Sequence, residues 1–137
     1  MNNKELRWRQ RFQNLEKAFH QLSEAADRYA ELSDLEKEGL VKRFEYTFEL
    51  FWKTLKDYLE SQGVLTQYPR EVIKQAYHHE IISDGEKWLD MLNLRNILAH
   101  KYTETDFREA VDAIVNKYFS DLEELYQWLK QKINHSD

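Results

Sequence analysis

Large apolar side chains recur at alternating spacings of three and four residues over most of this chain. The first series consists of Trp8, Phe12, Leu15, Phe19, Leu22, Ala26 and Tyr29. A second consists of Leu40, Phe44, Thr47, Phe48, Phe51, Leu55 and Tyr58, and the last of Phe107, Val111, Ile114, Tyr118, Leu122, Leu125 and Leu129. This period places each series on one face of an amphipathic helix. Because the 137 residues include only three glycines and one proline, turns must be few and helices long.

Capping, glycine and proline signals predict where these helices begin and end. Two capping boxes are predicted, one formed by Ser33 with Glu36 and one by Ser83 with Glu86. Gly63 is expected to end a helix, and Pro69 to begin a short helix that extends to Tyr77. Thr103 indicates a break between helices. The four main helices are expected to be long, at about 25 residues each. Short connections make neighbours antiparallel. The sequence therefore predicts an all-α fold, an up-down antiparallel four-helix bundle with an extra short helix, in one domain over residues 1–137.

The charge and composition exclude several classes of protein. The formal net charge is −5, so the overall field would not hold the chain to nucleic acid, and any RNA contact must be local. With no cysteine, the chain has neither disulfides nor thiolate metal sites. The first residues contain no apolar signal region, and no apolar run approaches the roughly 18 residues of a membrane span. We therefore expect a cytoplasmic protein without a membrane segment.

One stretch, LNLRNILAHKY over residues 92–102, sets polar groups into an apolar helix. On a helical wheel with roughly 100° per residue, Arg95 falls near the centre of the apolar arc. Asn96 and His100 are four residues apart on a helix expected to continue through them, so we expect their side chains to stack on one edge of that arc. Tyr102 lies two residues beyond the histidine, where Thr103 indicates that the helix frays.

Three interpretations of Arg95 remain open from the residues alone. The guanidinium could reach water or pair with a carboxylate on another helix, and the candidates on the second helix are Glu45, Glu49 and Glu60. It could lie in an oligomer interface, where arginine is enriched. It could also line a pocket that receives an anion, together with the nearby imidazole and phenol.

The segment RNILAHKY resembles the R-x4-H-x-Y signature of HEPN domains, in the HepT branch of nucleotidyltransferase substrate-binding proteins. Arg95, His100 and Tyr102 match the three signature positions, and Asn96 is the residue that commonly follows the arginine. The segments RFEYTFELFWKTLKDYLE, PREVIKQAY and GEKWLDMLNLRN are similar to the same family in order and spacing. The resemblance extends over about residues 5 to 130.

This resemblance implies a helical bundle that forms a homodimer and pairs with a cognate minimal nucleotidyltransferase. It implies a toxin that acts as a metal-independent endoribonuclease, with Arg95 and His100 catalytic, Asn96 supporting, and RNA as the substrate. The partner would silence the site by transferring AMP to Tyr102. No metal or cofactor is expected. The alternative is a non-catalytic substrate-binding subunit of a two-component nucleotidyltransferase, and sequence leaves open whether the chain is an enzyme.

Two further clusters have competing interpretations. Arg7, Arg9 and Arg11 flank Trp8 and could form a basic patch, although a solvated helix face around a core tryptophan fits the same pattern. The segment HHE at 78–80 suggests metal ligands, but adjacent helical residues point about 100° apart and chelate poorly together. No glycine-rich phosphate loop occurs, so nucleotidyl transfer itself is not expected of this chain.

Overall fold

Helices make up most of residues 2–135, the part of the chain that the computed structural model describes. Their bounds are Asn3–Asp27 (α1), Asp34–Ser61 (α2), Pro69–His78 (α3), Gly85–Leu98 (α4), Glu104–Ala113 (α5) and Phe119–His135 (α6). A 3-10 turn, Tyr29–Glu31, follows α1, and a π turn, Ile114–Tyr118, joins α5 directly to α6. The predicted all-α fold is confirmed. The prediction of four long helices is wrong for α4, which has only 14 residues.

The helices α1 and α2 pack along each other and supply much of the core, which buries the two apolar series predicted for them. α6 packs against α1 and closes the bundle. Both α4 and α5 contact α2, and α3 packs on α2 and α4. The α1–α6 contact includes a stacked ring pair, Phe19 and Tyr126, with centroids 4.6 Å apart. This is the predicted up-down bundle with an extra short helix.

Trp88 anchors α4 on α2. Its side chain is 1% exposed and contacts the rings of Phe48 and Phe51, at centroid distances of 6.0 and 5.7 Å. Burial of a side chain this large contributes a few kcal/mol, about 25 cal/mol for each Å² of apolar surface removed from water. The anchor fixes the orientation of α4, and Arg95 lies two helical turns further along the same face.

Most predicted helix starts match the structure, with one correction at the start of α4. Ser33 and Glu36 form the expected capping box of α2. At α4 the prediction of a Ser83–Glu86 box is wrong, because Asp84 is the N-cap residue and its carboxylate accepts from the backbone amide of Lys87 at 3.0 Å. The Ser83 hydroxyl instead donates to Glu124 at 2.8 Å.

Gly63 ends α2 in the left-handed region, with φ of 86°. The amide of the next residue, Val64, donates to the carbonyl of Leu59 at 2.8 Å, which closes the helix as in a Schellman motif. Gly63→Ala is expected to lower the free energy of unfolding by about 1 kcal/mol, because a side chain strains this backbone conformation. Urea denaturation measures the change.

Gly39 provides the matched control, since it lies inside α2 and an added Cβ would meet nothing within 4 Å. Gly39→Ala is expected to raise the free energy of unfolding by about 0.8 kcal/mol, through helix propensity. The two substitutions therefore have opposite signs, and a stabilising effect at Gly63 would contradict the assignment of its role.

The π turn has a visible cause in the apolar series of the last helix. Ile114, Tyr118 and Leu122 are separated by two successive spacings of four, and all three are buried. In an uninterrupted α-helix with 3.6 residues per turn, two such spacings would rotate the third side chain away from the core. The i→i+5 hydrogen bonds of a π turn place more residues in each turn and keep the series on one face.

Candidate functional site

The residues of the stretch 92–102 lie at the end of α4 and in the loop that follows it. α4 ends at Leu98, and the amide of His100 donates to the carbonyl of Ile97 at 3.1 Å, which closes the last turn. The prediction that the helix continues through His100 is therefore wrong, and the imidazole does not stack over Asn96. The loop ends at Thr103, which forms a capping box with Asp106 and starts α5.

Arg95 is paired with a carboxylate on α2. Its side chain is 24% exposed, and its Nη2 forms an ion pair with Oε1 of Glu49. Its Nη1 donates to the side-chain oxygen of Asn96 at 2.8 Å. The interpretation that the arginine pairs across helices is thus confirmed, and Glu49 is the partner. Glu60 contacts Arg7 instead, at 3.5 Å.

Glu49 is itself held by its neighbours on α2. Its Oε2 accepts a hydrogen bond from the Trp52 indole at 3.0 Å and lies 3.8 Å from the Lys53 ammonium. One turn before it, Glu45 is partly buried, and this burial raises the pKa of its carboxyl, although Lys42 and Arg95 oppose the shift. The guanidinium of Arg95 therefore faces two carboxylates, only one of which it contacts.

His100 and Tyr102 both project from the loop and are exposed. In the described part of the chain, the His100 ring makes no hydrogen bond or ion pair. Tyr102 is 43% exposed and lines a pocket with a volume of about 490 Å³. A protein that binds at this end of α4 can reach the phenol oxygen.

The structure does not gather the other sequence candidates into a site. Arg7, Arg9 and Arg11 pair with Glu60, Glu5 and Asp57, which fits a solvated helix face around the buried Trp8. The segment at 78–80 is exposed, and residues 2–135 contain no group of three histidine or acidic side chains arranged to hold a metal ion. Over the same residues, no helix combines the length and apolar character needed to cross a membrane.

Comparison with known proteins places this chain in a family. The family model described as "Nucleotidyltransferase substrate binding protein like" matches residues 10–131, nearly the whole chain. The chain belongs to this family. A relative from Haemophilus influenzae, described as "Probable ribonuclease HepT", is 26% identical over 99 residues, or 69% of this chain and 67% of that protein.

A solved structure also matches. A crystal structure of a protein from Thermus thermophilus has a TM-score of 0.71 and 30% sequence identity. The match covers 88% of this chain and 99% of the other. The resemblance to the HepT-like proteins inferred from sequence is confirmed, and with it the all-α bundle.

Proposed function

We propose that this protein is a metal-independent endoribonuclease, the toxin of a toxin–antitoxin pair, with Arg95 and His100 as its catalytic residues. The observation that carries the proposal is the placement of both residues at one end of α4. The arginine is half-buried, and the imidazole is exposed and makes no hydrogen bond to the described residues. The similarity to a probable ribonuclease supports it.

The reaction requires two proton movements and one anion contact. The 2′ oxygen attacks the adjacent phosphorus and loses its proton to a base, while the bond from phosphorus to the 5′ oxygen breaks and an acid protonates that oxygen. The products are a 2′,3′-cyclic phosphate and a free 5′ hydroxyl. An imidazole can serve as general acid or as general base, so His100 takes one of these two proton roles. Arg95 binds the phosphate oxygens with its planar donors, and Asn96 orients the guanidinium of Arg95 through a hydrogen bond.

Each chain has one His100, whereas the reaction uses both an acid and a base. A homodimer that brings two copies of the α4 end together supplies both groups. Two partly exposed apolar side chains suit such an interface: Ile97, which is 50% exposed beside the site, and Tyr46, which is 57% exposed one turn before Glu49.

A direct test is cleavage of RNA by the purified protein with a chelator present. The proposal expects products that end in 2′,3′-cyclic phosphate. The second candidate function, a non-catalytic subunit that presents substrate to a nucleotidyltransferase, is favoured by the pairing of Arg95 with Glu49, since this pairing neutralises the cation. That function expects intact RNA and tight binding of the partner enzyme.

The partner in this proposal is a minimal nucleotidyltransferase, which adenylylates Tyr102. The phenol oxygen attacks the α-phosphorus of ATP, pyrophosphate leaves, and the phenol proton passes to a base or to solvent. The exposure of Tyr102 supports this role, because the attacking oxygen must enter another protein's active site. The modification adds an anionic group two residues from His100 in the sequence, which supports a role in silencing the site.

Incubation with the partner enzyme and ATP is expected to add the mass of an adenylyl group to this chain. Peptide mass spectrometry should locate the group on Tyr102, and Tyr102→Phe should abolish the gain. Tyr68→Phe is a suitable control, since Tyr68 is also exposed, at 61%, but lies at the start of α3. Modification at another tyrosine would contradict this part of the proposal.

Glu49 competes with RNA phosphate for Arg95 in this scheme. Glu49→Gln is expected to tighten binding of a short single-stranded RNA about fivefold, which corresponds to the roughly 1 kcal/mol of a partly exposed ion pair. Binding is measured by fluorescence anisotropy in a His100→Ala background, so that the RNA stays intact. Glu45→Gln removes one carboxylate from the same helix without breaking the ion pair of Arg95, and should change the affinity less. Equal effects would show that overall charge, rather than the pairing, controls binding.

A further inference from the structure

A pocket beside Tyr102 has no part in the cleavage chemistry described above. It lies between the turn after α1, the first turns of α2 and α5, and the loop that precedes α5. Its lining residues are Tyr29, Asp34, Lys37, Glu38, Tyr102, Glu104, Phe107, Arg108 and Val111, around a volume of about 490 Å³. Neither Arg95 nor His100 is among them.

The walls of this pocket suit a flat aromatic ligand. Tyr29 and Phe107 are half-buried and pack against the core, so their rings are fixed while one part of each stays accessible. Stacking of a nucleic-acid base on an aromatic side chain is worth about 1–3 kcal/mol. Val111, which is 3% exposed, adds an apolar floor.

The charges of the pocket select against a highly charged ligand. Lys37 lies over the Tyr29 ring, 5.5 Å from its centroid, and Arg108 donates to Glu104 at 2.8 Å. With Asp34 and Glu38, the lining therefore has two cations and three carboxylates. This excess of one negative charge weakly disfavours a free nucleoside triphosphate. A phosphodiester with a single negative charge is tolerated, and the carboxylates can accept hydrogen bonds from ribose hydroxyls and an exocyclic amine.

We propose that this pocket binds the adenosine moiety of an adenylyl group attached to Tyr102 of the same chain. The inference rests on the proposed modification of Tyr102. Because Tyr102 is one of the lining residues, a group attached to its side chain stays close to the pocket, and a short tether gives an effective concentration in the mM range. Even a pocket too weak to retain free AMP is then occupied. Docking orders the loop that carries His100 and holds the adenylyl group on the protein surface.

The absence of cysteine from the chain allows a test without the nucleotidyltransferase. Tyr102→Cys introduces a single thiol, whose thiolate displaces iodide from a 5′-iodoacetamido derivative of 5′-deoxyadenosine and forms a thioether. We expect nuclear Overhauser contacts between the adenine protons and the rings of Tyr29 and Phe107. The conjugate is expected to melt at least about 3 °C above the same variant capped with iodoacetamide.

The matched control is Lys101→Cys conjugated with the same reagent, because Lys101 is an exposed neighbour that does not line the pocket. The Lys101→Cys conjugate should show neither the Overhauser contacts nor the rise in Tm. In the Tyr102→Cys conjugate, the additional substitution Tyr29→Leu should weaken the Overhauser contacts and reduce the rise in Tm. Absence of ring contacts from the Tyr102→Cys conjugate, or an equal rise in Tm for both conjugates, would overturn the docking proposal. Failure of the partner enzyme to modify Tyr102 would instead overturn the proposed modification, so the two failures are distinguishable.

Discussion

Replacement of His100 by alanine is expected to lower the rate of metal-free RNA cleavage by about 10²- to 10⁴-fold, the usual contribution of a general acid or base. The imidazole is exposed and unbound within the described chain, so its removal should change the free energy of unfolding by less than about 0.5 kcal/mol. The loss would therefore be chemical rather than structural. Single-turnover cleavage of an end-labelled RNA in chelator measures it, with urea denaturation as the check on folding.

His79→Ala is the matched control for this result. His79 is also exposed, lies at the end of α3 and is outside the candidate site. Its replacement should leave the cleavage rate unchanged. Undiminished cleavage by the His100→Ala protein would contradict the catalytic assignment and would identify the activity as that of a contaminating nuclease.

A mixture of wild-type and His100→Ala chains tests whether two histidines act together. After the subunits have exchanged at equal concentrations, random pairing leaves about one quarter of the dimers with two wild-type chains. Activity should fall to about one quarter if acid and base come from different chains, but only to about one half if each His100 acts alone. The dependence of activity on the wild-type fraction thus tests the composite site.

Replacement of Arg95 by alanine is expected to lower cleavage by about 10²- to 10³-fold, the usual cost of removing a donor that stabilises developing charge. RNA binding should weaken as well, and the slope of log K against log salt should become shallower by about 0.7, the value for one neutralised phosphate on a single strand. Arg95→Lys keeps the charge but not the planar donors, and should restore binding more than cleavage. Both quantities come from the same titrations and single-turnover assays.

Arg28→Ala separates these effects from a general reduction of positive charge. Arg28 is exposed, pairs with Glu31 at 3.7 Å, and lies in the turn after α1. Its removal should leave the cleavage rate unchanged. If the two alanine variants lose cleavage equally, the half-buried position of Arg95 has no special role and the active-site assignment fails.

The bundle follows from the sequence because its apolar series are long and regular. Each is buried in the structure over most of its length, and the predicted ends at Ser33, Gly63 and Pro69 are correct. The end of α4 was not predictable in the same way, since alanine at 99 favours helix and no glycine or proline follows. The signal was the capping box of Thr103 with Asp106, which requires extended backbone at Thr103 and therefore a break before it.

The site was predictable only in part. The helical wheel placed Arg95 on the core side of α4, and the structure agrees. The ion-pair partner of Arg95 was not predictable, because the choice among Glu45, Glu49 and Glu60 depends on the position of α4 along the axis of α2. That register is fixed by the packing of Trp88 against Phe48 and Phe51, which requires the three-dimensional structure. The pocket beside Tyr102 has the same origin, since its walls come from parts of the chain far apart in sequence.

The π turn between α5 and α6 also has a consequence for how related sequences are compared. A π turn accommodates one residue more than the α-helical turn it replaces, which is the structural result of a single-residue insertion in a helix. A relative whose last helix is α-helical throughout should therefore align with this chain only through a one-residue gap within Ile114–Tyr118. An ungapped alignment would assign the pocket residues near Phe107, or the core residues near Leu122, to the wrong counterparts.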